Sequence, residues 1–285
     1  MADSQVSVGG SLAYAWRLWL GGWRSIWGAL ALSSLAATVA GAGALAGKLE
    51  IWAVGFGAGL VTAVIVQGSV FRLAFVDLHG DDPAFRPGNL GIQWRSMEWK
   101  LLAAGALQLL LMALLGVLCA IPVAATAIGI LIAKGVQPSA TLTAETLAAG
   151  LGNDGMAAVG LVFLFTWSVF IVLIIRLSLV QAMTAESGRV SVLRSWPVTR
   201  NNVAGLFLTT ILISLPMAGL QRIIPEMVSE VTTMGITPSP RFPAGPAIVA
   251  GGLVGILSAA VFEPLLLAAM AYYYRNLKAP ESKAP

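Results

Sequence analysis

The sequence predicts an all-α integral membrane protein: six transmembrane helices forming three helical-hairpin repeats, with amphipathic interfacial elbow helices. Three observations predict it. Hydrophobic residues make up 58% of the chain and charged residues 11%, with a mean hydropathy of +0.85. A soluble domain carries roughly 45–50% apolar and about 25% charged residues. Six stretches reach the length of about 20 apolar residues that a helix needs to cross the hydrocarbon. Three of them also share a closing phrase. Val70-Phe71-Arg72-Leu73, Ile175-Arg176-Leu177-Ser178 and Val261-Phe262-Glu263-Pro264 align so that Arg72, Arg176 and Glu263 occupy one equivalent position. An ionisable residue there is costly, so it has a partner or a task.

The six runs lie near Ser25–Ala46, Ile51–Val76, Lys100–Ile121, Met156–Met183, Val203–Leu220 and Ala247–Tyr272. The third stays apolar to about Ala133, either as one long kinked helix or as a helix followed by an interfacial piece. Pro122 and Pro216 stand late in the third and fifth runs, where proline kinks or ends a helix. Met1–Arg24 is long and tryptophan-rich, unlike the short n-region of a secretory signal.

An amphipathic lead-in precedes each odd-numbered run. Val8, Leu12, Trp16, Trp19, Leu20 and Trp23 share one face at helical spacing, with Arg17 and Arg24 off it. Leu90, Trp94, Met97 and Leu101 form the second stripe, with Trp99 and Lys100 beside it. Val192, Leu193 and Trp196 form the third, flanked by Arg194 and Arg200. Tryptophan favours the headgroup level and basic side chains snorkel toward phosphates. These lead-ins are either elbows along the interface or extensions of the helices they precede. Trp16, Trp19, Trp23, Arg24, Trp94, Trp99, Lys100, Trp196 and Arg200 are the expected interfacial anchors.

The unit of elbow, helix, outer loop and helix then recurs over about 8–76, 89–183 and 190–275. Residues 1–278 form a single domain, and 279–285 form a polar, disordered cytoplasmic tail. In the second outer loop, Thr141–Leu147 precedes Gly150–Gly155, which reads as a turn. In the third, Ile223, Ile224, Met227, Val228 and Val231 predict a short amphipathic helix, and Pro238, Pro240, Pro243 and Pro246 an extended segment. Thirteen of the seventeen lysines and arginines lie on one side of this topology, leaving only Lys48, Lys134, Arg222 and Arg241 opposite. The positive-inside rule therefore places both termini in the cytoplasm.

The phrase Ser191-Val192-Leu193-Arg194-Ser195-Trp196-Pro197-Val198-Thr199-Arg200-Asn201-Asn202 resembles one found before the fifth helix of a bacterial six-helix family. That family is the membrane domain of glycerophosphoryl diester phosphodiesterases, with related inner-membrane proteins of the YciC type. Arg176-Leu177-Ser178-Leu179 and the exit Tyr272-Tyr273-Tyr274-Arg275-Asn276 add to the resemblance. It covers the second half well and the first half by helix pattern only. It implies a bacterial inner-membrane location and the six-helix architecture. It does not imply phosphodiesterase activity, because no segment here has the roughly 200 residues of a soluble barrel.

Composition also limits the chemistry. A single cysteine, Cys119, excludes an intrachain disulfide. A single histidine, His79, excludes a zinc site of several histidines and cysteines, and any Ser-His-Asp triad must use it. Asp77 to Pro83 is either a ligand cluster for a cation or phosphate or a solvated turn. Ser258 and Glu263 are the only near nucleophile–base pair. Neither a metal, a cofactor nor a nucleic-acid partner is expected. Gly55 with Gly59, and Gly251 with Gly255, make two small-xxx-small faces.

The expected function is that of a non-enzymatic protein that contacts membrane lipids, or another membrane or envelope protein, in membrane or envelope homeostasis. The alternative is a small transporter or flippase for an amphipathic or anionic solute. Its polar site would be Arg72, Arg176 and Glu263, with Glu263 held by the two guanidinium groups. Against that stands ordinary snorkelling of the arginines and a protonated or hydrogen-bonded Glu263.

Overall fold

A computed structural model describes residues 6–45, 47–79, 82–86, 88–136, 144–190, 192–233 and 245–278. Among these the chain is helical without strands. In order come α1 (Val8–Leu45), α2 (Leu49–His79), α3 (Ser96–Ala133), α4 (Ala144–Leu177), α5 (Val180–Ser187), α6 (Ser195–Thr199), α7 (Val203–Thr233), α8 (Gly245–Leu257) and α9 (Glu263–Lys278). Short 3₁₀ turns at Pro83–Phe85 and Asn89–Gly91 lie between α2 and α3. A π-turn over Ser258–Phe262 joins α8 to α9. Six helical spans are long and apolar enough to cross a membrane: Val8–Ala44, Leu49–His79, Asn89–Ala133, Leu147–Ser187, Val203–Val228 and Val249–Lys278. They coincide with the six apolar runs.

The chain divides into two compact units, Met1–Gly105 with Ser178–Pro285, and Ala106–Leu177. In the first, α1 and α2 form a tight hairpin. It turns at Gly47, whose φ of +64° only glycine adopts without strain. Small residues bring the backbones together: a Cβ on Gly43 or Gly55 would overlap the backbone nitrogen of Trp52 or Ala40. α8 packs on the opposite flank of α1 through Gly251, beside Gly41, and Gly255, where an added Cβ would lie 3.1 Å from the Ala37 carbonyl carbon. Gly59 faces open space and takes no part. The core between α1, α2, α7 and α9 holds Ile26, Leu30, Val66, Val70, Ile213 and Leu265.

Several boundaries differ from the sequence reading. The first lead-in is not a separate elbow: α1 is one helix of 38 residues, since no proline interrupts it. The second lead-in is a turn, with Leu90 and Gly91 both left-handed (φ 60° and 72°), and α3 begins only at Ser96. The third is a short helix, α6, after a 3₁₀ turn. Pro122 and Pro216 do not end their helices; α3 runs on to Ala133, and α7 passes Pro216 and Pro225 to Thr233. The predicted outer helix around Met227 is thus part of α7. The Gly150–Gly155 turn contracts to one non-helical residue inside α4, Gly152, with φ 63° and ψ 179°. Pro238, Pro240, Pro243, Gly80, Asp81 and the tail beyond Lys278 lie outside the described residues.

Candidate functional site

Two charges are wholly inaccessible among the described residues, and one of them is Arg72, in the last third of α2. Gly68, Ser69 and Arg72 lie along one face by the i, i+4 relation of a helix. Gly68 leaves the space that the Glu98 carboxylate fills, since a Cβ there would collide with Glu98 Oε1. Glu98 is the third residue of α3. Its Oε2 accepts from the Arg95 N–H at 2.7 Å, the backward half of a capping box. Its Oε1 lies 2.7 Å from Arg72 Nη1, and both side chains are 0% exposed. At that distance the two opposite charges are in direct contact.

Nε and Nη1 of Arg72 also reach the connecting segment, while its buried Nη2 has no hydrogen-bond partner among the described residues. Nε donates to the Ala84 carbonyl at 3.1 Å, and Arg95 Nη1 donates to Pro83 O at 3.0 Å. With its amide oxygen turned inward, Gln93 accepts from Arg72 Nη1 at 2.8 Å and from the Gly88 N–H at 3.0 Å. Ser69 Oγ donates to Gly91 O at 2.6 Å. Ser69 on α2 and Gly28 on α1 thus hold the strained Leu90–Gly91 turn from both sides. The arrangement is a neutral, closed pair that fixes the start of α3 to α2. Buried pairs of this kind are weak evidence for stability but costly to break.

A second cluster gathers at the ends of α2, α5 and α9. Glu186 accepts from Tyr274 Oη at 3.0 Å and pairs with Lys278. His79 Nε2 is 3.6 Å from its Oε1, with the imidazole stacked on Phe85 at 4.1 Å between centroids. Nearby, Arg275 Nη1 donates to Tyr14 Oη at 2.9 Å and to Ala74 O at 2.7 Å. A third chain of hydroxyls links Ser11, Thr209 and Tyr273 at 3.2 and 3.0 Å. All three groups join helices to one another.

Glu263 opens α9 directly after the π-turn and is half-buried. Pro264 explains the turn. It has no N–H for the Ala260 carbonyl, and its ring would strike that carbonyl in a regular helix. The Glu263 N–H instead reaches Ser258 O, five residues back. The displaced Ala260 carbonyl accepts from Trp19 Nε1 at 2.8 Å. Trp19→Phe is expected to leave that carbonyl unsatisfied and cost about 1–3 kcal/mol. Adding Pro264→Ala should recover part of the loss by supplying a helical N–H. Thermal melts of both variants in detergent check this, and equal losses in the single and double variants would refute the coupling.

The carboxylate ion-paired with Arg72 among the described residues is Glu98, not Glu263. Arg176 stands in the last turn of α4, in the second compact unit. Glu263 forms no ion pair among the described residues, nor does its carboxylate hydrogen-bond to Ser258. Of the expected anchors, Trp16, Trp23, Trp99 and Trp196 are exposed, and Arg24 lies over the Trp23 ring at 6.0 Å. Arg200 is exposed and Lys100 half-buried. Trp19 and Trp94 instead pack against the core. Glu98 was missed because it stands in a polar connection rather than an apolar run. The signal for it is a glutamate at the third helical position, opposite a Gly68–Arg72 face. Among the described residues no group of three histidines, cysteines or carboxylates is placed to hold a metal.

Comparison with protein-family models, with curated proteins and with solved structures finds no match to this chain.

Proposed function

We propose that this chain is a non-enzymatic, multi-pass protein of a bacterial inner membrane, with both termini cytoplasmic, that interacts with membrane lipid or an envelope protein in membrane or envelope homeostasis. The three-repeat plan, with α1/α2 as the first hairpin, belongs to the same reading, as does the resemblance to the six-helix phosphodiesterase membrane domains.

One observation carries it: Arg72, the buried arginine of the expected solute site, is spent against Glu98 inside the fold, while tryptophan and arginine side chains stand exposed. Arg72 is closed against Glu98 and cannot grip a headgroup. Exposed Trp16, Trp23 and Trp196, with exposed Arg17, Arg24 and Arg200 close by in sequence, suit anionic headgroups instead.

Gentle purification followed by native mass spectrometry tests this reading. Retained glycerophospholipid or a stoichiometric envelope protein is expected; a bare monomer overturns it. The transporter reading loses Arg72 to the Glu98 pair and rests chiefly on Glu263, a half-buried acid beside a π-turn, a feature frequent at functional sites. Solute uptake into vesicles that disappears in Glu263→Gln would replace the proposal with that one.

A further inference from the structure

We propose that a groove between α3 and α4 in the second compact unit holds one acyl chain of a glycerophospholipid, with its phosphate at Lys134. The inference rests on the membrane reading above but concerns a site outside every cluster already described.

The groove encloses about 470 Å³. One wall is a face of small side chains on α3, including Gly116, Cys119, Ala120 and Ala124. The other carries Phe163 and Trp167 on α4, with ring centroids 5.8 Å apart. Among the described residues, α3 and α4 do not close on each other along their lengths. Small residues usually permit close helix contact; here the aromatic wall stands opposite them and the space stays open.

The lining selects an apolar occupant. Its one hydroxyl, Thr166 Oγ1, is turned back onto the Val162 and Phe163 carbonyls at 2.8 and 3.0 Å. Besides it, only the Cys119 thiol and the Trp167 indole N–H are polar among the lining side chains, too few donors and acceptors to recognise a sugar, nucleotide or amino acid. Depth points to a lipid chain. Gly116 to Ala127 covers about 17 Å of helix axis at 1.5 Å per residue, close to one leaflet of a hydrocarbon core about 30 Å thick. Lys134 lies about 10 Å further along the chain on the same rise, at headgroup level, in the outer leaflet on the proposed orientation.

Charge complements the groove at that end. Lys134 Nζ donates to the carbonyl of Leu151, itself a lining residue, so the ammonium is held at the mouth. The break at Gly152 gives it room. An ammonium has three donors, and the Leu151 carbonyl takes one, leaving others for a phosphate oxygen. Asp154 is exposed in the following turn and opposes an anion, so the acyl chain supplies most of the affinity and Lys134 orients it.

Native mass spectrometry of the full chain, in a delipidating detergent titrated with phosphatidylglycerol, tests the site. Wild type is expected to retain one lipid. Ala124→Phe, which fills the groove, is expected to weaken retention by about tenfold or more, because several methylene contacts are lost. Lys134→Gln should reduce it less, and Leu118→Phe on the exposed face should leave it unchanged. If Ala124→Phe does not fold, Ala120→Val gives the same test with a smaller change. Cys119, the only thiol, adds an independent readout: bound lipid should slow its alkylation in wild type and not in Ala124→Phe.

Unchanged lipid retention in Ala124→Phe, with wild type still binding, overturns the groove and leaves the lipid-interaction reading intact. No lipid on any variant, wild type included, overturns the groove and the lipid half of the functional reading, leaving the envelope-protein half to its own test. Oxidative cross-linking of Cys119 to Cys119 in bilayers would show a second copy covering the groove and also overturns the proposal.

Discussion

Replacing Glu98 with alanine is expected to destabilise the protein by about 3–5 kcal/mol, the usual cost of stripping one partner from a buried ion pair. Arg72 would keep a full charge in a site with no water access, and the Arg95 N–H would lose its acceptor. The double variant Arg72→Met with Glu98→Gln removes the charge altogether and keeps a side-chain oxygen for that N–H. It should return to within about 1 kcal/mol of wild type, since apolar replacement of a buried pair is often neutral. Detergent melts of Arg72→Met, Glu98→Gln and their double variant measure the coupling. Additive losses would mean that the 2.7 Å pair contributes no coupling of its own.

Gly55→Leu is expected to cost about 3 kcal/mol, at the upper end of overpacking penalties. The added side chain meets backbone atoms of Val39 and Ala40 rather than a movable side chain, so α1 and α2 must separate. At Gly59, one turn away, an added Cβ meets nothing within 4 Å, so Gly59→Leu should be nearly neutral. The pair discriminates because both changes add the same apolar bulk to the same helix. A difference below experimental error in unfolding midpoints would show that the hairpin is not packed as described.

The contrast between those glycines shows how far the sequence could be read. Apolar length is a local property, so the six spans were legible from composition alone. Which face of a helix meets a neighbour is not local. Gly55 and Gly59 share one spacing, yet only Gly55 lies against α1. The equivalence of Arg72, Arg176 and Glu263 was a genuine alignment of residues, but it carried no information about partners. Glu98 is 30 positions from Gly68, and the two are brought together by the Leu90–Gly91 turn, whose left-handed backbone at a leucine no propensity would have anticipated. Trp19 read as a surface anchor because tryptophan at a helical lead-in usually is one. Its true role follows from Pro264, far along the chain, which displaces the Ala260 carbonyl.

The Arg72–Glu98 pair has a consequence for the order of events during synthesis. α2 is complete when His79 has been added, but the carboxylate that neutralises its arginine belongs to the next helix. At roughly 5–20 residues per second, a delay of about a second or more separates the two. Throughout it, α2 carries a lone cation, whose transfer to lipid costs about 2.5–3.5 kcal/mol at a helix centre and less two turns from the helix end, where Arg72 stands. Release of α2 into the bilayer is therefore favoured only once the first turn of α3 has arrived. The two helices are expected to enter the membrane as a couple, with the timing set by the position of a single glutamate.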